Sequence, residues 1–80
     1  MINNNCGGYN MYFKRLKDLR EDHDYLQKDV AKLLGISQQY YSQYELGKYT
    51  MPIELLIKLA QEYKVSLDYL VGLSNIKNLK

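Results

Sequence analysis

The feature that most constrains the fold is the very short connection between two apolar-patterned segments in the middle of the chain. The first segment, Gln27–Leu34, repeats apolar side chains at helical spacing and ends at Gly35, a residue type that often follows a helix in the left-handed conformation. Only Ile36 separates this glycine from Ser37, a good N-cap residue for a second helix over Gln38–Leu46. Two helices joined by a turn of this length typically meet at a steep angle.

A steep crossing also determines which residue types are needed at fixed offsets. Close approach requires a small side chain on the first helix, and Ala31 lies four residues before Gly35. The apolar side chains expected to point inward around this turn are Val30, Leu34, Ile36, Tyr41 and Tyr44. The joint match to all these positions predicts a helix-turn-helix arrangement.

The remaining sequence predicts three further helices. Residues 11 to about 22 form the first, and a stripe from Ile53 to Tyr63 forms the fourth, with Pro52 placed to open it. A short fifth helix over residues 65–70 is capped by Ser66 and ended by Gly72. We therefore expect a compact, all-α, five-helix domain over residues 11–72, between a flexible arm (residues 1–10) and a loose tail (residues 73–80).

Composition narrows the class of protein without naming its function. The 80 residues are 46% hydrophobic and 25% charged, which is typical of one small globular domain. The chain has neither a signal-like N-terminus nor an apolar run long enough for a membrane span, so a cytoplasmic location without membrane contact is expected. The single cysteine, Cys6, agrees with a reducing compartment. The net charge of +2 gives only weak support for a nucleic-acid partner.

Catalytic and metal-binding signals are missing from the sequence. His23 has no partner at ligand spacing, and Cys6 has no nearby basic group to activate it. There is no glycine-rich phosphate loop and no nucleophile–base arrangement, so we expect neither an enzyme nor a cofactor or small-molecule site. Four of the nine tyrosines are predicted to lie in the core with their hydroxyls at the surface: Tyr41, Tyr44, Tyr63 and Tyr69.

Residues 16–70 resemble the Cro/repressor (XRE-type) helix-turn-helix family. The resemblance is carried by LKDLRE (16–21), DVAKLLGIS (29–37), YELGK (44–48), Pro52 and LAQEYKVSLDYL (59–70). It implies a lambda-repressor-like five-helix fold that binds operator DNA, usually as a dimer, with the third helix in the major groove. A transcriptional regulator, most plausibly a repressor, is therefore the function expected from this resemblance.

The same resemblance implies which residues would contact DNA. Base contacts are expected from the third helix, where glutamine amides can pair with adenine: Gln38, Gln39, Ser42 and Gln43. Backbone contacts are expected from Gln27, Tyr40, Lys48, Tyr49 and Thr50, and Tyr40 is also placed to touch a thymine methyl. The alternative is that the glutamines are solvated surface residues and the tyrosines serve packing.

Arg20 and Glu45 form a further pair that the resemblance implies. The arginine of the first helix is expected to pair with the glutamate near the end of the third, orienting the helices, although Arg20 would remain near a phosphate. A structural role is favoured for this pair.

In its third helix, which begins with Gln38 and Gln39, the sequence resembles lambdoid phage repressors. It departs from them at four places where they carry polar or basic residues: Leu26, Leu46, Met51 and Ile53. Few cations would then line the DNA face, and the salt dependence of binding would be shallow. These apolar residues also keep open a second function, a protein-interaction module or antitoxin-like partner. A homodimer is expected to use the last two helices and the tail, including Leu67, Leu70, Val71, Leu73 and Ile76.

Overall fold

The computed structural model describes residues 11–77, and this part of the chain contains five α-helices and no β-strand. The helices are α1 (Lys14–Asp22), α2 (Gln27–Leu34), α3 (Gln38–Leu46), α4 (Ile53–Tyr63) and α5 (Leu67–Val71). The predicted all-α, five-helix architecture is confirmed. No helix of the described range is long and apolar enough to cross a membrane. The predictions for the arm at residues 1–10, including Cys6, and for residues 78–80 lie outside it.

Local signals in the sequence fix where the helices begin and end. The Ser37 hydroxyl accepts a hydrogen bond from the Tyr40 backbone N–H at 3.1 Å, and Ser66 accepts one from Tyr69 at 3.0 Å. Both are N-cap bonds that satisfy a donor in the first helical turn. Gly35 ends α2 with φ +71°, a conformation that costs other residue types about 1–2 kcal/mol. These residues explain why α3 begins and α2 ends where the sequence predicts. Ser66 caps α5 as predicted, but the helix itself covers Leu67–Val71 and so begins two residues later than the predicted range 65–70.

One apolar core connects all five helices. The largest wholly buried side chains are Leu16, Leu19, Val30, Tyr41, Met51, Leu59, Val65 and Leu70. Met51 corrects the sequence interpretation, which placed it among the apolar residues of the DNA-facing side. It is only 2% exposed, because the loop after α3 turns back and this flexible side chain fills the core.

The start of α1 lies later than predicted. Residues 11–13 are not helical, and Phe13 is the N-cap of α1. The backbone N–H of Met11 donates to the Thr50 Oγ1 atom at 2.8 Å, and Tyr12 packs over Gly47. These contacts hold the segment against the loop that follows α3, so its backbone cannot join the helix.

The tail beyond α5 is held to α1 rather than loose over residues 73–77. The Arg15 guanidinium donates to the carbonyl oxygens of Tyr69 and Ser74 at 2.8 and 2.7 Å, and to Asn75 Oδ1 at 2.8 Å. Its Cζ atom also lies 3.9 Å from the centre of the Tyr69 ring, within cation–π distance. Further along the tail, the Ser66 backbone N–H donates to the Lys77 carbonyl oxygen at 3.0 Å and the Ser66 hydroxyl to that of Ile76 at 3.3 Å. Arg15 and Ser66 together therefore fix the direction in which the chain leaves the domain.

Burial also changes two predictions about surface groups. Tyr41 and Tyr63 are core residues, but their hydroxyls do not reach solvent: that of Tyr41 bonds to Glu45, and that of Tyr63 has no hydrogen-bond partner among residues 11–77. Leu70, expected at a dimer surface, is wholly buried and cannot contribute to one.

Candidate nucleic-acid interface

The inner face of α3 is attached to two other helices through one carboxylate. Glu45 is 6% exposed, and its Oε2 atom accepts hydrogen bonds from Arg20 Nε and from the Tyr41 hydroxyl, both at 2.6 Å. Its Oε1 atom accepts from Gln27 Nε2 at 3.0 Å and, more weakly, from Arg20 Nη2 at 3.4 Å. Arg20 belongs to α1 and Gln27 to α2, so this network fixes α3 relative to both.

Hydrogen bonds stabilise the charged forms of Glu45 and Arg20 in this network. Burial by itself would raise the pKa of Glu45, but hydrogen bonds from Arg20, Tyr41 and Gln27 outweigh it and bring the pKa below the ordinary value of 4.5. The hydrogen bond to Glu45 raises the pKa of Arg20. Burial, followed by the bond to Glu45, raises the pKa of Tyr41, which stays a neutral donor. Glu45 is therefore a charged carboxylate that accepts four hydrogen bonds, two from Arg20 and one each from Gln27 and Tyr41.

Arg20 is committed to the interior of the domain. Besides its bonds to Glu45, its Nη1 atom donates to the Tyr25 carbonyl oxygen at 2.9 Å, and its side chain is 11% exposed. Of the two roles considered for Arg20, this geometry favours the structural one.

The outer face of α3 carries the residues predicted to contact bases. Gln38, Gln39 and Tyr40 are exposed, and Ser42 and Gln43 are half-buried. All five side chains are uncharged and hydrogen-bonding, and residues four apart on a helix are surface neighbours. The structure thus places Gln39, Tyr40 and Gln43 together on the side of α3 that faces away from the buried Tyr41 and Glu45. Gln38 and Ser42 lie at the border of the two faces, since Gln38 is three residues before Tyr41 and Ser42 three before Glu45.

A recess on this outer face was not foreseen from the sequence. Its volume is about 420 Å³, and it is lined by Gln39, Tyr40, Gln43, Lys48 and Tyr49. The ring centres of Tyr40 and Tyr49 are 6.2 Å apart with a 39° tilt between the rings. The chain reversal after α3 brings these rings together, and Gly47 was the only sequence signal of it.

The loop that follows α3 places the predicted backbone contacts at the edge of the same face. Lys48, Tyr49 and Thr50 are all exposed. Because the Thr50 hydroxyl oxygen accepts from Met11, its own proton is left to donate outward. Gln27 differs from these three, since it is half-buried and one amide hydrogen is engaged by Glu45.

A second recess adds a cation that the sequence did not single out. Lys17 of α1 shares a depression of about 590 Å³ with residues that include Gln27 and Leu46. Lys17 is exposed, and Leu46 beside it is 62% exposed. Leu26 and Ile53 are also more than half exposed, as the sequence suggested. The surface of this depression is therefore mixed, since the cation Lys17, the exposed acid Glu21 and the apolar Leu46 line it together.

Comparison with known proteins agrees with this geometry. A sequence model of the helix-turn-helix family HTH_3 matches residues 16–70. The chain is 37% identical to the HTH-type transcriptional regulator YobD of Bacillus subtilis, over 81% of this chain and 58% of that protein. It is 35% identical to the antitoxin PezA of Streptococcus pneumoniae, over 85% of this chain and 43% of that protein. The chain thus spans about half the length of these relatives.

A solved structure is also similar. The crystal structure of a transcriptional regulator from Listeria innocua superposes with a TM-score of 0.72 and 30% sequence identity, covering 80% of this chain and 60% of that one.

Proposed function

Since this chain belongs to the helix-turn-helix family HTH_3, we propose that it is a sequence-specific binder of double-stranded DNA and acts as a transcriptional regulator, most simply a repressor. In this proposal α3 enters the major groove, the Gln38, Gln39, Ser42 and Gln43 side chains contact base edges, and the loop after α3 holds a phosphate. The protein would work where the chromosome is, in the cytoplasm.

The observation that carries the proposal is the division of α3 into two faces. One face is locked to α1 and α2 by the bonds to Glu45. The other presents uncharged amides and hydroxyls to solvent. Base recognition needs hydrogen-bonding groups on a rigid support, because a displaced donor loses its partner on the base edge.

A dimer belongs to the same proposal. One α3 helix makes few base contacts, and two copies on half-sites one turn apart would add theirs. The exposed apolar side chains that remain for such a surface are Leu73 and Ile76, at 80% and 70% exposure, with Leu67 and Val71 half-buried beside them. The fixed position of residues 73–77 supports this choice, since a contact surface should keep its shape.

A protein-interaction module is the second candidate. It is favoured by the similarity to the antitoxin PezA and by the exposed Leu26, Leu46 and Ile53. An exposed apolar side chain is removed from water when another protein covers it, which favours association.

Titration of the protein against random-sequence duplex DNA over a range of salt concentrations separates the two candidates. We expect binding that weakens as salt rises, with a shallow slope because Lys17 and Lys48 are the exposed cations that line the two described recesses around α3. Absence of binding at low salt would contradict the DNA-binding proposal and leave the interaction module.

Replacing Gln38 and Gln39 together by alanine tests the reading residues. Each good amide–base pair contributes about 1–3 kcal/mol of discrimination, so the preference for sequences selected by the unaltered protein should fall by about tenfold or more. Gln61→Ala is a matched control, because Gln61 is an exposed glutamine on α4. An unchanged preference in the double variant would show that these residues do not read bases.

A further inference from the structure

The outer face of α3 exposes more aromatic surface than amide recognition requires. Tyr40 is 57% exposed and Tyr49 52% exposed, and Tyr44 lies 6.4 Å from Tyr40 between ring centres. The exposed rings of Tyr40 and Tyr49, whose centres are 6.2 Å apart, thus form an aromatic wall beside the candidate reading residues, and the half-buried Tyr44 supports it from the core. Aromatic side chains grouped in this way on a small domain mark a surface that contacts something apolar.

The position of the wall restricts what that apolar group can be. Tyr40 and Tyr49 line the same recess as the amides of Gln39 and Gln43. The major groove of B-DNA presents hydrogen-bonding groups on every base pair, and its distinctive apolar group is the C5-methyl of thymine. A glutamine that pairs with adenine would therefore bring a thymine methyl of the same or the next base pair toward the rings.

The charge of the recess is compatible with DNA as the occupant. Among the residues of the range 11–77 that line it, Lys48 is charged and none is an acid. A duplex in this recess would therefore contact amide, aromatic and cationic side chains. The cation is Lys48, which belongs to the loop after α3.

We infer that the Tyr40–Tyr49 wall is a thymine-methyl reader, which makes the preferred DNA site contain a thymine beside the adenine contacted by the Gln39 or Gln43 amide. This inference rests on the proposed function and deepens it. It assigns specificity to the rings of Tyr40 and Tyr49, and so extends to a second ring the thymine-methyl contact that the sequence suggested for Tyr40 besides backbone contacts for both.

The test removes only the methyl group from DNA. Duplexes are first selected from a randomised library with the unaltered protein, and the most enriched one is synthesised with deoxyuridine in place of each thymine in turn. Deoxyuridine keeps the base pair and the O4 acceptor. Affinity is measured by fluorescence anisotropy at one salt concentration. At one or two positions we expect about fourfold weaker binding, the factor that corresponds to burying one methyl-sized group.

Two variants of Tyr40 separate the ring from the hydroxyl. Tyr40→Phe keeps the ring and should therefore keep the ratio between the affinities for the thymine and deoxyuridine duplexes, even where loss of a hydroxyl contact to a phosphate lowers both affinities equally. Tyr40→Ser removes the ring and should bind the thymine and deoxyuridine duplexes alike, at the lower affinity. Because Tyr40 is exposed, both variants should keep the unfolding temperature of the parent, which circular dichroism checks.

The outcomes that overturn the inference are distinct from those that overturn the function. Equal binding to thymine and deoxyuridine at every position would overturn the methyl reader alone. A Tyr40→Phe variant that binds the thymine and deoxyuridine duplexes alike would also overturn it, since the methyl sensitivity would then depend on the hydroxyl and not on the ring. Failure of the unaltered protein to bind any duplex would overturn the proposed function and this inference together.

Discussion

Replacing Glu45 by alanine should remove far more stability than removing a charge from an exposed ion pair. The substitution deletes the acceptor of four donors and leaves the Arg20 guanidinium, 11% exposed, without its carboxylate. Breaking a buried ion pair from one side costs about 3–5 kcal/mol. A domain of this size has roughly 4–12 kcal/mol in total. The midpoint of thermal unfolding should fall by tens of degrees, at about 4–8 °C per kcal/mol.

The chain contains a matched control for this prediction. Lys14 and Asp18 form an ion pair at 2.8 Å, nearly the same length as the 2.6 Å pair of Arg20 and Glu45, but their side chains are 75% and 45% exposed. Solvent screens such pairs, so Asp18→Ala should cost about 0.5 kcal/mol or less. Urea unfolding followed by circular dichroism measures both variants. A Glu45→Ala loss within about 1 kcal/mol of the Asp18→Ala loss would refute the reasoning, because burial would then not decide the strength of the pair.

Three further predictions concern acid stability, a buried hydroxyl and two glycines. The pKa of Glu45 in the folded protein lies below its ordinary value of 4.5, so Glu45 contributes its full stability above pH 4.5 and loses it as the pH falls through the folded pKa. Glu45→Gln removes this titration. Below pH 4.5 the urea midpoint should therefore decline less steeply in Glu45→Gln than in the parent. Tyr63→Phe should leave the free energy of unfolding unchanged or raise it by up to about 1 kcal/mol, since the Tyr63 hydroxyl is buried without a hydrogen-bond partner among the described residues. A clearly lower unfolding temperature would contradict this and show that the hydroxyl has a partner. Gly35→Ala should lower the free energy of unfolding by about 1–2 kcal/mol through its positive φ alone. Gly47→Ala should lower it further, because the added Cβ would lie 2.9 Å from the Tyr12 Cβ. Equal unfolding temperatures for the two variants would contradict the packing of Tyr12.

The parts of the fold that the sequence predicts are those decided by neighbouring residues. Ser37 caps α3 through a bond to a residue three positions on, and Gly35 ends α2 through its own conformation. Such signals act within one or two turns of helix and can be read without knowing the rest of the structure. The bounds of α2 and α3 therefore match their prediction.

The parts that the sequence did not predict depend on contacts between distant residues. Met51 is buried because the loop returns to the core, and Arg15 holds a tail 59 residues away. The recess between Tyr40 and Tyr49 exists because a turn brings two rings together. None of these arrangements has a local pattern, so the candidate site could be predicted as a set of α3 residues but not as a shaped surface.

The bond between Met11 and Thr50 has a practical consequence for anyone who handles this protein. A tag that replaces the residues before Met11 would leave the domain beside Thr50, at the edge of the surface proposed to meet DNA. A bulky tag there would obstruct a duplex, and a positively charged one would attract it and steepen the measured salt dependence. Binding measured on tagged protein would then report partly on the tag, so the titrations described above should be made after its removal.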